Sequence, residues 1–133
     1  MKRFVVGCLV LVAAACSSSP ARPTSSVDTR VTVPIGQTVT IAATSASVRF
    51  ESVLEDSRCP ADANCVWQGQ AAVTLTVVAS GRPVSIELRS DPAAARAASV
   101  NGLRFEWVQL DPYPFSSRPT QPGDYRLTIR VVR

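Results

Sequence analysis

The stretch Cys65–Arg89, C-V-W-Q-G-Q-A-A-V-T-L-T-V-V-A-S-G-R-P-V-S-I-E-L-R, decides the fold class. Its odd positions from Cys65 to Val77 (Trp67, Gly69, Ala71, Val73, Leu75) carry most of the apolar side chains. The even positions Gln68, Gln70, Thr74 and Thr76 are polar. A period of two is the mark of a strand with one buried face, so a single long strand is predicted. Gly81 then supplies a turn. Val84, Ile86 and Leu88 alternate with Ser85, Glu87 and Arg89, which makes the whole stretch a β-hairpin. Trp67 shares its face with Val73 and Leu75, so its ring is expected in the core, with Gly69 leaving room for the indole. The alternative is an exposed ring that stacks on a ligand.

The same alternation extends outward in both directions. Upstream, Val31 and Val33 flank Thr32, Gln37–Ile41 forms a second strand, and Val48, Phe50 and Leu54 share one parity. Downstream, Asn101-Gly102 marks a turn before Leu103, Phe105 and Trp107. The apolar parity switches at Val108-Gln109-Leu110, which predicts a bulge or a strand end. Asp91–Ser99 is expected to form one or two helical turns, with Asp91 as N-cap and Pro92 in the first position. Residues Asp111 to Pro122 hold four prolines and read as an irregular loop, after which Tyr125, Leu127, Ile129 and Val131 form a closing strand. About seven strands and no amphipathic helix predict an all-β, antiparallel, immunoglobulin-like sandwich, with a small β-barrel as the alternative. The ending P-G-D-Y-R-L-T-I-R-V resembles the last strand of many immunoglobulin-like bacterial domains, which bears on architecture alone.

Composition narrows the function classes. The chain has 133 residues, 46% of them apolar and 18% charged, which is a globular balance and enough for one domain. There is no histidine, so neither a Ser-His-Asp or Cys-His nucleophile nor a His-containing zinc site can be built. That weighs against an enzyme and leaves carboxylate-only, glycosidase-type hydrolysis as the remaining catalytic class. The formal charge is +4, and without Lys2 and Arg3 the chain keeps 12 basic against 10 acidic residues with no basic run. Nucleic-acid binding therefore has no electrostatic footprint.

The first sixteen residues, M-K-R-F-V-V-G-C-L-V-L-V-A-A-A-C, place two positive charges before an apolar run and then small residues. The run is shorter than the roughly 20 residues a membrane-spanning helix needs. The ending Val12-Ala13-Ala14-Ala15-Cys16 resembles the lipobox of bacterial lipoproteins. That resemblance implies cleavage before Cys16, lipidation of its thiol and membrane attachment through the lipid; an ordinary cleaved leader with Cys16 incidental is the alternative. Residues 17–27, S-S-S-P-A-R-P-T-S-S-V, have the composition of an extended tether. Ser17 after the lipidated cysteine resembles the sorting pattern for the outer membrane, which implies a periplasm-facing domain. The expected organisation is a signal peptide over 1–15, lipidated Cys16 and tether over 16–28, and a sandwich domain over 29–133.

Between the third strand and the long one lies Glu55–Ala71, E-D-S-R-C-P-A-D-A-N-C-V-W-Q-G-Q-A. With Cys8 lost and Cys16 lipidated, Cys59 and Cys65 are left in an oxidising compartment and are expected to pair. The C-x5-C spacing differs from the C-x-x-C of thioredoxin-like redox sites, so the bond is read as structural. Asp56-Ser57-Arg58-Cys59-Pro60, four residues, then Cys65-Val66-Trp67-Gln68-Gly69 resembles D-S-R-C-P-x4-C-x-W-x-G, a motif of a group of small exported bacterial proteins and lipoproteins. The resemblance implies membership and carries no catalytic residue with it.

Arg58, Asp62 and Asn64 are the candidate recognition residues of this loop. Arg58 has two readings: a local ion pair with Asp56 or Asp62, or a guanidinium presented to an acidic partner. Glu55, Asp56, Asp62 and Asn64 have oxygens suited to calcium, but their spacing departs from the D-x-[DN]-x-[DN]-G loop, so neither a metal nor another cofactor is expected. Charges on the outward strand faces are read as solvated cross-strand pairs. The leading expectation is a non-catalytic, lipid-anchored binding or structural module of the cell envelope, acting on an envelope protein or polymer. The second is an inhibitor of an envelope or secreted hydrolase using the Cys59–Cys65 loop; the third is a carboxylate-based hydrolase.

Overall fold

The computed structural model describes residues 26–133, so the readings of the leader, of Cys16 and of most of the tether lie outside the described residues. Eight strands follow in order: β1 (Asp28–Pro34), β2 (Thr38–Thr40), β3 (Ser47–Asp56), β4 (Ala71–Ala79), β5 (Arg82–Arg89), β6 (Ala97–Val100), β7 (Leu103–Asp111) and β8 (Arg126–Val132). They form two open antiparallel four-stranded sheets, ordered β1-β8-β7-β6 and β2-β3-β4-β5. The chain is therefore a β-sandwich and not a closed barrel. Each sheet is built largely of neighbours in sequence.

The alternation read from the sequence is what fills the space between the sheets. Val48, Phe50, Val73, Leu75, Val77 and Leu88 from one sheet, and Val33, Phe105, Leu127, Ile129 and Val131 from the other, are all fully buried. Each such aliphatic or aromatic side chain contributes about 1.5–3 kcal/mol by leaving water. Trp107 completes this layer at 7% exposure.

Three expectations about the elements are corrected. The long strand does not run from Cys65: β4 begins at Ala71, and Trp67 stands 82% exposed in the loop before it. The period of two is interrupted at Gly69, whose φ of +63° lies in the left-handed region and turns the chain out of the pleat. Gly69 is required by the backbone beside it, since a Cβ there would overlap the Ser57 carbonyl oxygen; it is not making room for the indole.

Leu54 is likewise exposed, at 56%. The register of β3 against β4 slips between Phe50 and Ser52 and again between Val53 and Glu55. Each extra residue shifts which side chains face inward, so Val53 packs against the core in place of Leu54. The predicted slip in β7 is present, between Trp107 and Gln109.

Asp91–Ser99 is not helical. Asp91 Oδ1 accepts a hydrogen bond from Ala93 N (2.8 Å), closing a turn. The chain then extends as β6, which pairs with β7 through the Asn101-Gly102 turn and is the eighth strand the alternation did not reveal. The outward ion pairs are only partly the cross-strand pairs expected: Arg49–Glu51, Arg89–Glu87 and Arg104–Glu106 run along one strand at i, i+2. The others link strands: Arg130 reaches Asp28 at 2.6 Å and Glu106 at 3.7 Å, and Arg89 of β5 reaches Glu55 of β3 at 3.9 Å.

The register fixes the polarity of the domain. Asp28 lies opposite Val132, whereas Pro34 lies opposite Arg126, which in turn pairs with Asp111. The chain therefore enters at one end of the sandwich, and the Cys59–Cys65 loop and the proline-rich loop between β7 and β8 both sit at the other.

Candidate functional site

At that far end, a clasp of buried charge joins the loops of the two sheets. Asp56 ends β3, and Arg58 lies two residues on, so both reach the same side of the chain as it leaves the sheet. Arg58 Nε donates to Asp56 Oδ1 at 2.7 Å and Nη2 donates to Oδ2 at 2.8 Å, a bidentate pair. The remaining guanidinium donors cross to the other sheet, Nη1 to Leu110 O at 2.6 Å and Nη2 to Pro112 O at 3.0 Å. The guanidinium carbon also lies 5.0 Å from the centre of the Tyr113 ring. From the other side, Tyr125 Oη donates to Asp56 Oδ2 at 3.0 Å.

The side chains of Arg58 and Asp56 are only 8% and 10% exposed. Burial alone raises the carboxyl of Asp56. The Arg58 hydrogen bonds and charge, with the Tyr125 hydroxyl, outweigh burial and hold it below the ordinary carboxylate value. The Tyr125 hydroxyl is pushed up by its own burial and by the Asp56 charge.

The loop itself is bound at three more points. Ser57 N donates to Gln70 O (2.7 Å) and Cys59 N to Gln68 O (2.8 Å), so the loop leaves and re-enters as a short ladder. Cys59 and Cys65 are joined in a disulfide, with their Cα atoms 5.9 Å apart. Asp62 reaches the proline-rich loop, accepting from Ser116 N at 2.7 Å and Ser116 Oγ at 2.8 Å, and Ala61 N donates to Pro114 O at 2.9 Å. Those Ser116 donors hold the Asp62 carboxyl below its ordinary value.

The candidate recognition residues thus separate. Arg58 faces inward and spends its donors within the domain, in the ion pair with Asp56 and not with Asp62. Asp62 is exposed yet committed to Ser116, and Asn64 stands exposed at the tip. Glu55, Asp56 and Asp62 do not converge: among the described residues no group of three or more acids, cysteines or histidines is placed to hold a metal ion.

Beside these polar groups the loop presents two large apolar side chains to solvent. Val66 is 99% exposed and Trp67 82%. Beside Trp67 runs an open groove of ≈ 770 Å³ whose polar side chains are Glu55, Ser57, Gln68, Gln70, Ser90 and Asp91. Glu55 accepts from Ser57 Oγ (2.9 Å) and Gln70 Nε2 (3.2 Å). The role of Tyr113, Tyr125, Ser116 and the groove residues had no local signal, since each acts on a side chain or carbonyl distant in sequence.

Compared with protein-family models, with curated proteins and with solved structures, the chain matches none.

Proposed function

We propose that this chain is a lipoprotein of the bacterial cell envelope, attached through a lipid on Cys16 to the outer membrane and facing the periplasm, whose domain is a non-catalytic binding module. The observation that carries the reading is the exposed Trp67 on a loop that a disulfide and a buried ion pair hold in place. Leaving an indole and a valine in water costs solvation free energy, and fixing them beforehand lowers the entropy lost on binding. The polarity of the fold agrees with it: a domain tethered ahead of Asp28 carries this loop at the end away from its tether. The test is crosslinking from position 67 in the living envelope, with Cys16→Ser followed by fractionation. Capture of envelope material by the parent chain, lost with Trp67→Ala, and release of the Cys16→Ser chain from membranes are expected. A Cys16→Ser chain that stays in membranes and still takes up a palmitate analogue sinks the anchoring part. Capture unchanged by Trp67→Ala sinks the binding part.

The second reading, an inhibitor of a secreted or envelope hydrolase, draws on Val66 as well as Trp67. Both are exposed at adjacent positions of the loop, and exposed apolar side chains on a braced loop suit the pockets of a partner's cleft. The hydrolase reading has less behind it, because nothing beyond the presence of Glu55 and Asp91 in the groove lining favours it.

A further inference from the structure

We infer that the ligand of the Trp67 groove is an uncharged saccharide chain, an inference that rests on the binding-module reading and names its ligand class. The groove has one broad apolar surface, the Trp67 indole, and around it two amides (Gln68, Gln70), two hydroxyls (Ser57, Ser90) and two carboxylates (Glu55, Asp91). No lysine or arginine lines it, so it offers nothing to a phosphate, sulfate or uronate. The cores of protein–protein interfaces are depleted of Glu, Asp and Ser and enriched in apolar and aromatic side chains, which is the reverse of this lining.

A pyranose has the matching chemistry. One face of the ring presents C–H bonds that pack on an indole, and its rim carries hydroxyls that both donate and accept. The groove holds donors and acceptors for such a rim. Ser90 Oγ accepts from Ala71 N at 2.8 Å and keeps its own proton to donate, while Gln70 gives its Nε2 to Glu55 and keeps its carbonyl oxygen to accept. Its volume of ≈ 770 Å³ falls within the roughly 300–1,000 Å³ of small-ligand clefts. Val66 lies outside the lining, which separates this ligand from a protein cleft that would take Val66 as well as Trp67.

The test is calorimetric titration of the exported chain, purified from its envelope, with tetrasaccharides of β-linked glucose, β-linked mannose and β-linked N-acetylglucosamine, and with tetralysine as the cationic comparison. Trp67 fluorescence is followed in parallel; Trp107 is only 7% exposed and contributes a constant background. Saturable binding of at least one saccharide is expected, weakened about ten-fold or more by Trp67→Ala and several-fold by Gln68→Ala or Asp91→Ala, and unchanged by Val66→Ser. Three results overturn the inference: binding of no saccharide, binding of tetralysine alone, or equal losses with Val66→Ser and Trp67→Ala. If saccharides fail while position 67 still captures envelope material, the saccharide inference falls and the binding module stands. If both fail, both fall.

Discussion

Asp56 and Arg58 lie two residues apart in sequence, and their bidentate pair, at 2.7 and 2.8 Å, orients the guanidinium through which this loop is tied to the other sheet. Arg58 also donates to the carbonyls of Leu110 and Pro112, and Tyr125 donates back to Asp56. Buried charge of this kind is costly to form and more costly to break, because the survivor is left without a partner.

Arg58→Ala is therefore expected to lower stability by about 3–5 kcal/mol, read as a shift of the urea midpoint. Arg58→Lys should recover only a part, since an ammonium lacks the planar fork that spans Asp56 and two carbonyls. Full stability in either variant would show that the clasp is dispensable.

Acid should unfold the domain partly through Asp56. Its carboxyl is held below the ordinary value in the folded chain and returns to it on unfolding, so the unfolded chain binds the proton first as pH falls. The stability it contributes is complete above about pH 4 and is lost as pH drops through the depressed folded value. Urea midpoints measured from neutrality into that acid range should fall for the parent chain and fall less steeply for Asp56→Asn. Tyr125→Phe should cost about 1–2 kcal/mol at neutral pH through one lost hydrogen bond to a charged group.

Gly69→Ala is expected to displace the loop or unfold it, because both the +63° φ and the Ser57 carbonyl oppose a Cβ. Gly36→Ala is the matched control: its φ is +75° with nothing within 4 Å, so only about 1 kcal/mol of backbone strain is expected. Thermal melts of the two variants make the comparison, and equal losses would remove the special role of Gly69.

The two tryptophans should behave as opposites. Trp107→Ala should cost about 3–5 kcal/mol as a core cavity. Trp67→Ala should change stability by no more than about 0.5 kcal/mol. Iodide should quench one component of the fluorescence strongly and leave the other shielded.

Reducing the Cys59–Cys65 bond, or replacing both cysteines by serine, should leave a folded domain. A loop of this length is worth roughly 2 kcal/mol by chain entropy, and the clasp and the Asp62–Ser116 contact persist. Unfolding of the double variant at ambient temperature would mean that the bond holds the domain and not merely its loop.

The sequence by itself determined the class of the fold and most of its buried faces, because these follow from period-two alternation, and it led to the Cys59–Cys65 bond through the expectation that Cys8 and Cys16 do not pair. Phe50, Leu75, Phe105 and Ile129 are legible without coordinates. Only the tertiary structure decided where that alternation stops. A single left-handed residue, Gly69, moved Trp67 from the expected core to the surface, and two register slips in β3 exchanged Leu54 for Val53. Strand periodicity propagates any one-residue shift to every side chain beyond it, and no local residue pattern records such a shift. The same limit applies to Arg58. Its partner Asp56 is two residues away and readable, but its acceptors on Leu110 and Pro112 are backbone carbonyls that only chain packing brings within reach, and they decide between the two readings of the guanidinium, local ion pair or donor to a partner, by facing it inward.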